Sequence, residues 1–84
     1  MSKQVCELFK NSREAIKFNL EEFKGHKFID MRVYLKEEGQ EVPTKKGLAI
    51  SPVLWRQFRA ALDQAEAAMI EAGWLDKEDL EARG

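Results

Sequence analysis

The hydrophobic period of this chain changes once, at Ser51–Pro52, and that change sets the order of its secondary structure. Before it, apolar and polar residues alternate with a period of two, as in strands with one buried face. After it, apolar residues recur at spacings of three and four, which predicts a helix. We therefore expect a single α+β domain over residues 1–84, with the order ββββα.

Four strands are predicted in the first half, and they cover residues 5–9, 13–23, 27–36 and 47–50. Lys24-Gly25 lies between two strand-like runs, where the centre of a tight hairpin is expected. Residues 10–12 and 37–40 supply two further turns. Pro43 cannot donate to a strand ladder, so the segment around it is predicted to be an irregular approach to the last strand. The expected sheet is curved, antiparallel and four-stranded.

One long helix is predicted in the second half. Ser51 is a good N-cap, Pro52 suits the first helical position, and Gly73 is well placed to end the helix. Its apolar stripe consists of Trp55, Phe58, Leu62, Ala65, Met69 and Ala72. A last short helix is expected over 77–82, capped by Asp76.

The helix is apolar over more of its surface than one sheet contact uses. A second apolar row, Leu54, Ala61 and Ala68, lies beside the stripe, whose mean spacing suits helix-against-helix packing. A short chain also gains much of its stability from a partner subunit. We therefore predict a homodimer; packing of the whole stripe inside one subunit is the alternative. The predicted interface consists of Trp55, Phe58, Leu62, Ala65 and Met69.

The alternation assigns two different faces to the sheet. One face is apolar and carries Ile16, Phe18, Leu20, Ile29, Met31 and Val33. The other, called the aromatic–basic face below, carries Lys17, Phe23, Phe28, Arg32 and Tyr34. Further cationic residues adjoin it at the hairpin and before the last strand: Lys24, His26, Lys27, Lys45 and Lys46.

Aromatic rings beside cations suit a single-stranded nucleic acid. Unpaired bases stack on such rings with a gain of about 1–3 kcal/mol per base, while the cations neutralise phosphates. The net charge of −1 conceals an asymmetry. Residues 1–50 hold ten Lys/Arg and eight Asp/Glu, a net of +2, whereas residues 51–84 hold four and seven, a net of −3.

Each member of the aromatic–basic face also has a purely structural interpretation. Phe28 and Tyr34 can instead form a cross-strand aromatic cluster. The lysines can simply be solvent-exposed charges on the sheet surface. Arg32 can pair with Asp30 or Glu21. The residues alone leave both interpretations open.

Catalytic, metal and membrane functions have no support in the sequence. There is no glycine-rich phosphate loop and no Ser/His/Cys arrangement, and the only histidine has no cysteine near it. We expect no enzyme activity, no cofactor and no metal. No apolar run approaches the roughly 20 residues of a membrane span, and no signal peptide is evident, so a cytoplasmic protein is expected, associated with the nucleoid in a bacterium.

Two segments together resemble a known family. The run 23–32 (FKGHKFIDMR), followed by a turn, the run 43–52 (PTKKGLAISP) and Trp55, is similar to the core of the transcriptional coactivator family of positive cofactor four. The likeness covers roughly residues 10–72. It implies a curved four-stranded sheet, a C-terminal helix, a dimer joined through the helices, and single-stranded DNA bound in channels of aromatic and basic side chains. It also implies contact with transcription or replication machinery.

The family's binding positions fall on Phe23, Lys24, His26, Arg32, Lys45 and Lys46. Some positions depart from the family pattern. His26 and Val42 replace lysines, Leu35 replaces a tryptophan and Glu21 replaces an arginine. The Ser-rich acidic region of eukaryotic members has no counterpart, which favours a bacterial or phage origin.

Two functions follow. The first is single-strand binding with little sequence specificity, in transcription regulation, replication or repair. The second is a dimeric protein–protein interaction adaptor with weak or no nucleic-acid binding, indicated by the acidic helix and the lost cations. Salt dependence separates the two.

Overall fold

The computed structural model describes residues 2–77 and shows four strands followed by a helix. The strands are β1 (Ser2–Phe9), β2 (Glu14–Phe23), β3 (His26–Glu37) and β4 (Gln40–Ile50). A 3₁₀ turn, Pro52–Leu54, leads into helix α1 (Trp55–Glu71). The chain forms two compact units, a sheet unit within residues 1–53 and a helix unit within 54–84. The predicted ββββα order and the α+β class are confirmed.

The sheet is an antiparallel meander in which the strands follow the order β1-β2-β3-β4. Two-residue turns join β2 to β3 and β3 to β4. Lys24 and Gly25 have φ angles of 51° and 83°, and Glu38 and Gly39 have 48° and 80°. Positive φ at both central residues defines the type I′ turn, whose twist matches that of the flanking strands. The predicted hairpin at Lys24-Gly25 is therefore confirmed.

Three strands are longer than predicted, and β3 gains only one residue at each end. β1 begins at Ser2 instead of residue 5, because its pairing with β2 extends as far as Glu21. The irregular approach predicted around Pro43 is wrong, since β4 begins at Gln40 and Pro43 pairs with Tyr34 within it. β4 is an edge strand, and a proline there can leave the ladder intact because its missing N–H can face the open edge.

Helix α1 starts later than predicted and ends where predicted. The Val53 amide donates to Ser51 Oγ at 3.3 Å, so Ser51 caps the 3₁₀ turn and α1 itself starts later, at Trp55. Gly73 has a φ of 80° and ends the helix as predicted. Its amide donates to the Ile70 carbonyl at 3.0 Å, while the next amide donates to Met69 at 2.8 Å. These two bonds form a Schellman motif.

The predicted short helix over 77–82 lies outside the described residues, save for its first position. None of the helices among residues 2–77 has the length and apolar character of a membrane span.

Large apolar side chains remain incompletely buried in the single chain. Among residues 2–77, Ala15 and Ile50 are the only buried hydrophobic residues, and no large side chain is fully buried. Leu20 and Leu48, both on the apolar face, are about half exposed. The same holds for Leu62 on α1, at 52%. This pattern leaves apolar surface available on the sheet unit and on the helix unit.

Candidate nucleic-acid interface

The strand register places the five predicted residues of the aromatic–basic face on one side of the sheet. Directly opposed residues of antiparallel strands share a face. Lys17 lies opposite Arg32, and Phe23 lies opposite His26. Tyr34 and Phe28 lie opposite Ala15 and Glu21, which continue the same alternation along β2.

The β2–β3 hairpin forms the most open part of this face. The Phe23 ring is 63% exposed, and the Lys24 ammonium lies 5.3 Å from its centroid. His26 is the cross-strand neighbour of Phe23, and the exposed Lys27 follows it. Two basic residues, Lys24 and His26, thus adjoin the exposed ring at one end of the sheet. Lys27 lies opposite Glu22 and follows the alternation of the apolar face, so its predicted place beside the aromatic–basic face is wrong.

Lys17 occupies the middle of the face and is already paired. Its ammonium lies 2.9 Å from Glu41 Oε1 and 4.7 Å from the centroid of the Tyr34 ring. The hydrogen bond to Glu41 raises the pKa of Lys17 above its usual value, and the charge of Glu7, its partner on β1, adds to this effect. Tyr34 therefore offers a ring whose one face is covered by a cation.

Arg32 is held in place by three hydrogen bonds. Its Nε and Nη2 donate to the two carboxylate oxygens of Asp30 at 3.1 and 3.0 Å. Its Nη1 donates to the Thr44 carbonyl at 2.8 Å. The hydrogen bonds with Asp30 raise the pKa of Arg32. Of the two structural pairings considered for Arg32, the structure shows the one with Asp30.

These carboxylates explain how two cations can lie opposite each other. Like charges at directly opposed positions destabilise a sheet. Lys17 and Arg32 are such a pair, and each has its own carboxylate, Glu41 and Asp30 respectively. The centre of the aromatic–basic face is thus largely neutralised by these two ion pairs.

Lys45 and Lys46 belong to a bulge in β4, which is defined here as residues 44–46. Arg32 pairs with Gly47 and Tyr34 pairs with Pro43, so the three bulge residues lie opposite Val33 alone. The Thr44 hydroxyl donates to the Val33 carbonyl at 2.7 Å and accepts the Lys46 amide at 3.2 Å. The predicted cationic pair is therefore carried by an irregular segment with its own hydrogen bonds.

The charge of Lys46 also influences a carboxylate of the apolar face. Glu14 lies on that face, as its register partner Leu35 does. A hydrogen bond from Asn11 lowers the pKa of Glu14, and the charges of Lys10 and Lys46 lower it further.

The sequence analysis missed Phe9 and Glu41. Phe9 is 76% exposed and lies opposite Ala15, in the same row of the sheet as Tyr34, so it adds a ring to the aromatic–basic face. Phe9 directly follows the apolar Leu8 at the end of β1, so no alternation of apolar and polar residues assigned it a face. Glu41 was not predicted because the last strand was expected to begin at residue 47, whereas β4 begins at Gln40.

The predicted interface residues of α1 differ in their exposure. The rings of Trp55 and Phe58 pack on each other with centroids 5.9 Å apart, and both residues are partly buried. Leu62, Ala65 and Met69 are exposed. The middle of the stripe is therefore open in the single chain.

The chain thus combines a four-stranded antiparallel meander, with rings and cations along one sheet face, and one helix that follows it. The sequence model of the Transcriptional Coactivator p15 (PC4) family matches residues 10–61. The chain belongs to this family, as the resemblance predicted.

Two of the curated relatives are plant coactivators. The RNA polymerase II transcriptional coactivator KELP of Arabidopsis thaliana is 32% identical over 65 residues, which cover 77% of this chain and 37% of the relative. The coactivator KIWI of the same plant is 29% identical over 65 residues, covering 77% and 57% respectively. The chain thus spans between about a third and three fifths of the length of these two proteins.

Solved structures confirm the fold. A PC4 homolog from Burkholderia pseudomallei superposes with a TM-score of 0.73 at 26% identity, covering 77% of this chain and 89% of that chain. The bacteriophage T5 homolog of PC4, implicated in recombination-dependent DNA replication, gives a TM-score of 0.63 at 21% identity. That alignment covers 95% of this chain and 96% of the phage protein, and it supports the fold alone.

Proposed function

We propose that this protein binds single-stranded DNA on the aromatic–basic face with little sequence specificity. The observation that carries this proposal is the exposed Phe23 at the hairpin, with the Lys24 ammonium 5.3 Å from its ring centroid and His26 as its cross-strand neighbour. A base on an unpaired strand can stack on such a ring, whereas the bases of a duplex are already stacked. We place the activity in transcription regulation, replication or repair.

The proposed path of the strand follows the rings and basic residues of the hairpin, of β3 and of the bulge. It starts at the hairpin, crosses the rings of Phe28 and Tyr34, and leaves over the bulge that carries Lys45 and Lys46. Phe9 offers a further ring in the same row as Tyr34. Backbone attraction and ring stacking work with any base sequence, which supports the low specificity.

We propose that the active species is a homodimer. Apolar residues of the sheet and of α1 stay about half exposed in the single chain. A two-fold assembly is the commonest closed oligomer and would bury this surface. It would also supply two copies of the aromatic–basic face to one strand.

The function is tested by fluorescence anisotropy of a labelled 20-base oligo-dT at about 50 and 200 mM salt. Single-strand binding should weaken steeply with salt, with a slope of about −0.7 per phosphate contact. An unlabelled duplex should compete poorly, and an RNA oligonucleotide of matched length reports any preference for RNA. Absence of binding at the lower salt would contradict the function and favour a protein–protein adaptor.

Glu41→Gln is predicted to strengthen binding. The Glu41 side chain is 43% exposed and forms an ion pair with the Lys17 ammonium at 2.9 Å. It therefore competes with a phosphate for that ammonium. Its neutralisation should add about one phosphate contact and steepen the salt slope by about 0.7. The anisotropy assay measures both quantities.

Glu37→Gln is the matched control for that variant, because it removes the same charge from the end of β3, and Glu37 has no ion pair with Lys17. If the two variants bind DNA equally well, Glu41 does not compete for Lys17.

A further inference from the structure

The aromatic–basic face carries a second exposed ring at the end opposite to the hairpin. Phe9 ends β1 and is 76% exposed, more than the 63% of Phe23. β2 carries Ala15 opposite Phe9, and β3 carries Tyr34 opposite Ala15. Because Ala15 is small and buried, this row of the sheet holds an aromatic residue on each side of a low floor.

Basic residues lie in the next row, beyond Phe9. The Lys36 amide donates to the Arg13 carbonyl at 2.8 Å, which continues the β2–β3 ladder by one pair. This pair follows the alternation of Ala15 and Tyr34, so both basic residues belong to the aromatic–basic face. Arg13 and Lys36 are exposed. This end of the face therefore repeats the combination of an open ring and cations that the hairpin shows.

The place of Phe9 distinguishes it from an ordinary exposed apolar residue. Single apolar side chains are common on protein surfaces and need no functional explanation. Phe9, however, shares one sheet face with Phe23 and has cations in the adjoining row. An open ring next to cations suits an unpaired base and its phosphate, whatever the base.

We infer that Phe9 is a second stacking platform, which takes a base of the bound single strand at the far end of the face from Phe23. The inference rests on the proposed function and adds one base subsite to the proposed path. A strand that is long enough is held by both rings, whereas a shorter one is held by only one of them.

The separation of the two rings sets the length of strand that can use both. Phe23 and Ala15, the partner of Phe9, are 23 − 15 = 8 residues apart on β2, which is about 27 Å at about 3.4 Å per residue. A stacked strand rises about 3.4 Å per nucleotide and covers this distance in about eight steps. A four-base strand has three steps and spans only about 20 Å even at twice that rise. It cannot reach both rings, whereas the 20-base oligo-dT can.

Phe9→Ala is therefore expected to weaken binding in a way that depends on strand length. Affinity for the 20-base oligo-dT should fall about 5- to 30-fold, the lower part of the range for one stacked base. Affinity for a four-base oligo-dT should stay within about twofold of the wild type, because the ring of Phe23 remains. Competition of each unlabelled strand against the labelled 20-base oligo-dT measures both effects.

Two further substitutions at the same position separate stacking from apolar packing. Phe9→Tyr keeps the ring and should bind the 20-base strand within about threefold of the wild type. Phe9→Leu keeps an apolar side chain without a ring and should bind as weakly as Phe9→Ala. Wild-type affinity of Phe9→Leu, or an equal loss for both strand lengths in Phe9→Ala, would overturn the inference.

Titration of the wild type distinguishes a failure of this inference from a failure of the proposed function. If the wild type binds the 20-base oligo-dT with steep salt dependence and Phe9→Ala binds it equally well, only the second platform is refuted. If the wild type does not bind at the lower salt, the proposed function is refuted, and the second platform with it.

Discussion

Changing Leu62 to glutamate is expected to separate the dimer into monomers. Leu62 lies in the middle of the α1 stripe and is 52% exposed in the single chain. A carboxylate moved into an apolar interface costs several kcal/mol, and two-fold symmetry introduces it twice. The dissociation constant of the dimer should rise by at least about 100-fold. Light scattering after size exclusion should give close to 9.7 kDa, the mass of one chain.

Gln64→Glu is the matched control for that substitution. Residue 64 is also exposed, and it lies about 200° from Leu62 around a helix of 3.6 residues per turn. The same new charge on this opposite side should leave the dimer intact. A Leu62→Glu protein with the mass of a dimer would contradict the proposed interface, and a monomeric wild type would contradict the dimer itself.

Changing Phe23 to alanine is expected to cause the largest loss of DNA affinity from a single side chain. The ring is 63% exposed, so its removal should change the free energy of unfolding by less than about 0.5 kcal/mol. Loss of one stacked base costs about 1–3 kcal/mol, which is roughly a 5- to 150-fold weaker binding constant. Anisotropy titration with the same 20-base oligo-dT measures the change.

Two comparisons make the Phe23 result specific. Phe23→Tyr keeps an aromatic face and should bind within about threefold of the wild type, since stacking requires only the ring. The salt slope of Phe23→Ala should match that of the wild type, because no phosphate contact is lost. An alanine variant with wild-type affinity would show that DNA does not stack at the hairpin.

β2, β3 and the hairpin between them could be predicted because the signals that define them are local in the sequence. Both strands have one apolar face, so a register shift by one residue would expose every apolar side chain. Lys24-Gly25 adopts the positive φ angles that the tight turn needs. The positions of Lys17, Phe23, Phe28, Arg32 and Tyr34 on one face follow directly from this alternation.

The bulge of β4 could not be predicted from the same rules. Three residues lie opposite Val33, and side-chain hydrogen bonds from Arg32 and Thr44 stabilise this irregularity. Such contacts link residues eleven and twelve positions apart, outside the reach of any local pattern. The ion pair of Glu41 with Lys17 joins residues 24 positions apart, so no local pattern indicates it either.

The ends of the strands and helix were also set by contacts beyond local periodicity. Pro43 suggested an interruption, but an edge strand accepts it. At the start of α1, the 3₁₀ turn delayed the helix although Ser51 and Pro52 have the expected capping types.

Chemical-shift mapping of the amide resonances during titration with oligo-dT tests most directly where the strand binds. Single-strand binding on the aromatic–basic face predicts the largest shifts at the hairpin, from Phe23 to Phe28, and at the bulge with Lys45 and Lys46. Amides in the middle of α1 should change little. Shifts concentrated on α1, or none at saturating oligonucleotide, would contradict binding on the aromatic–basic face.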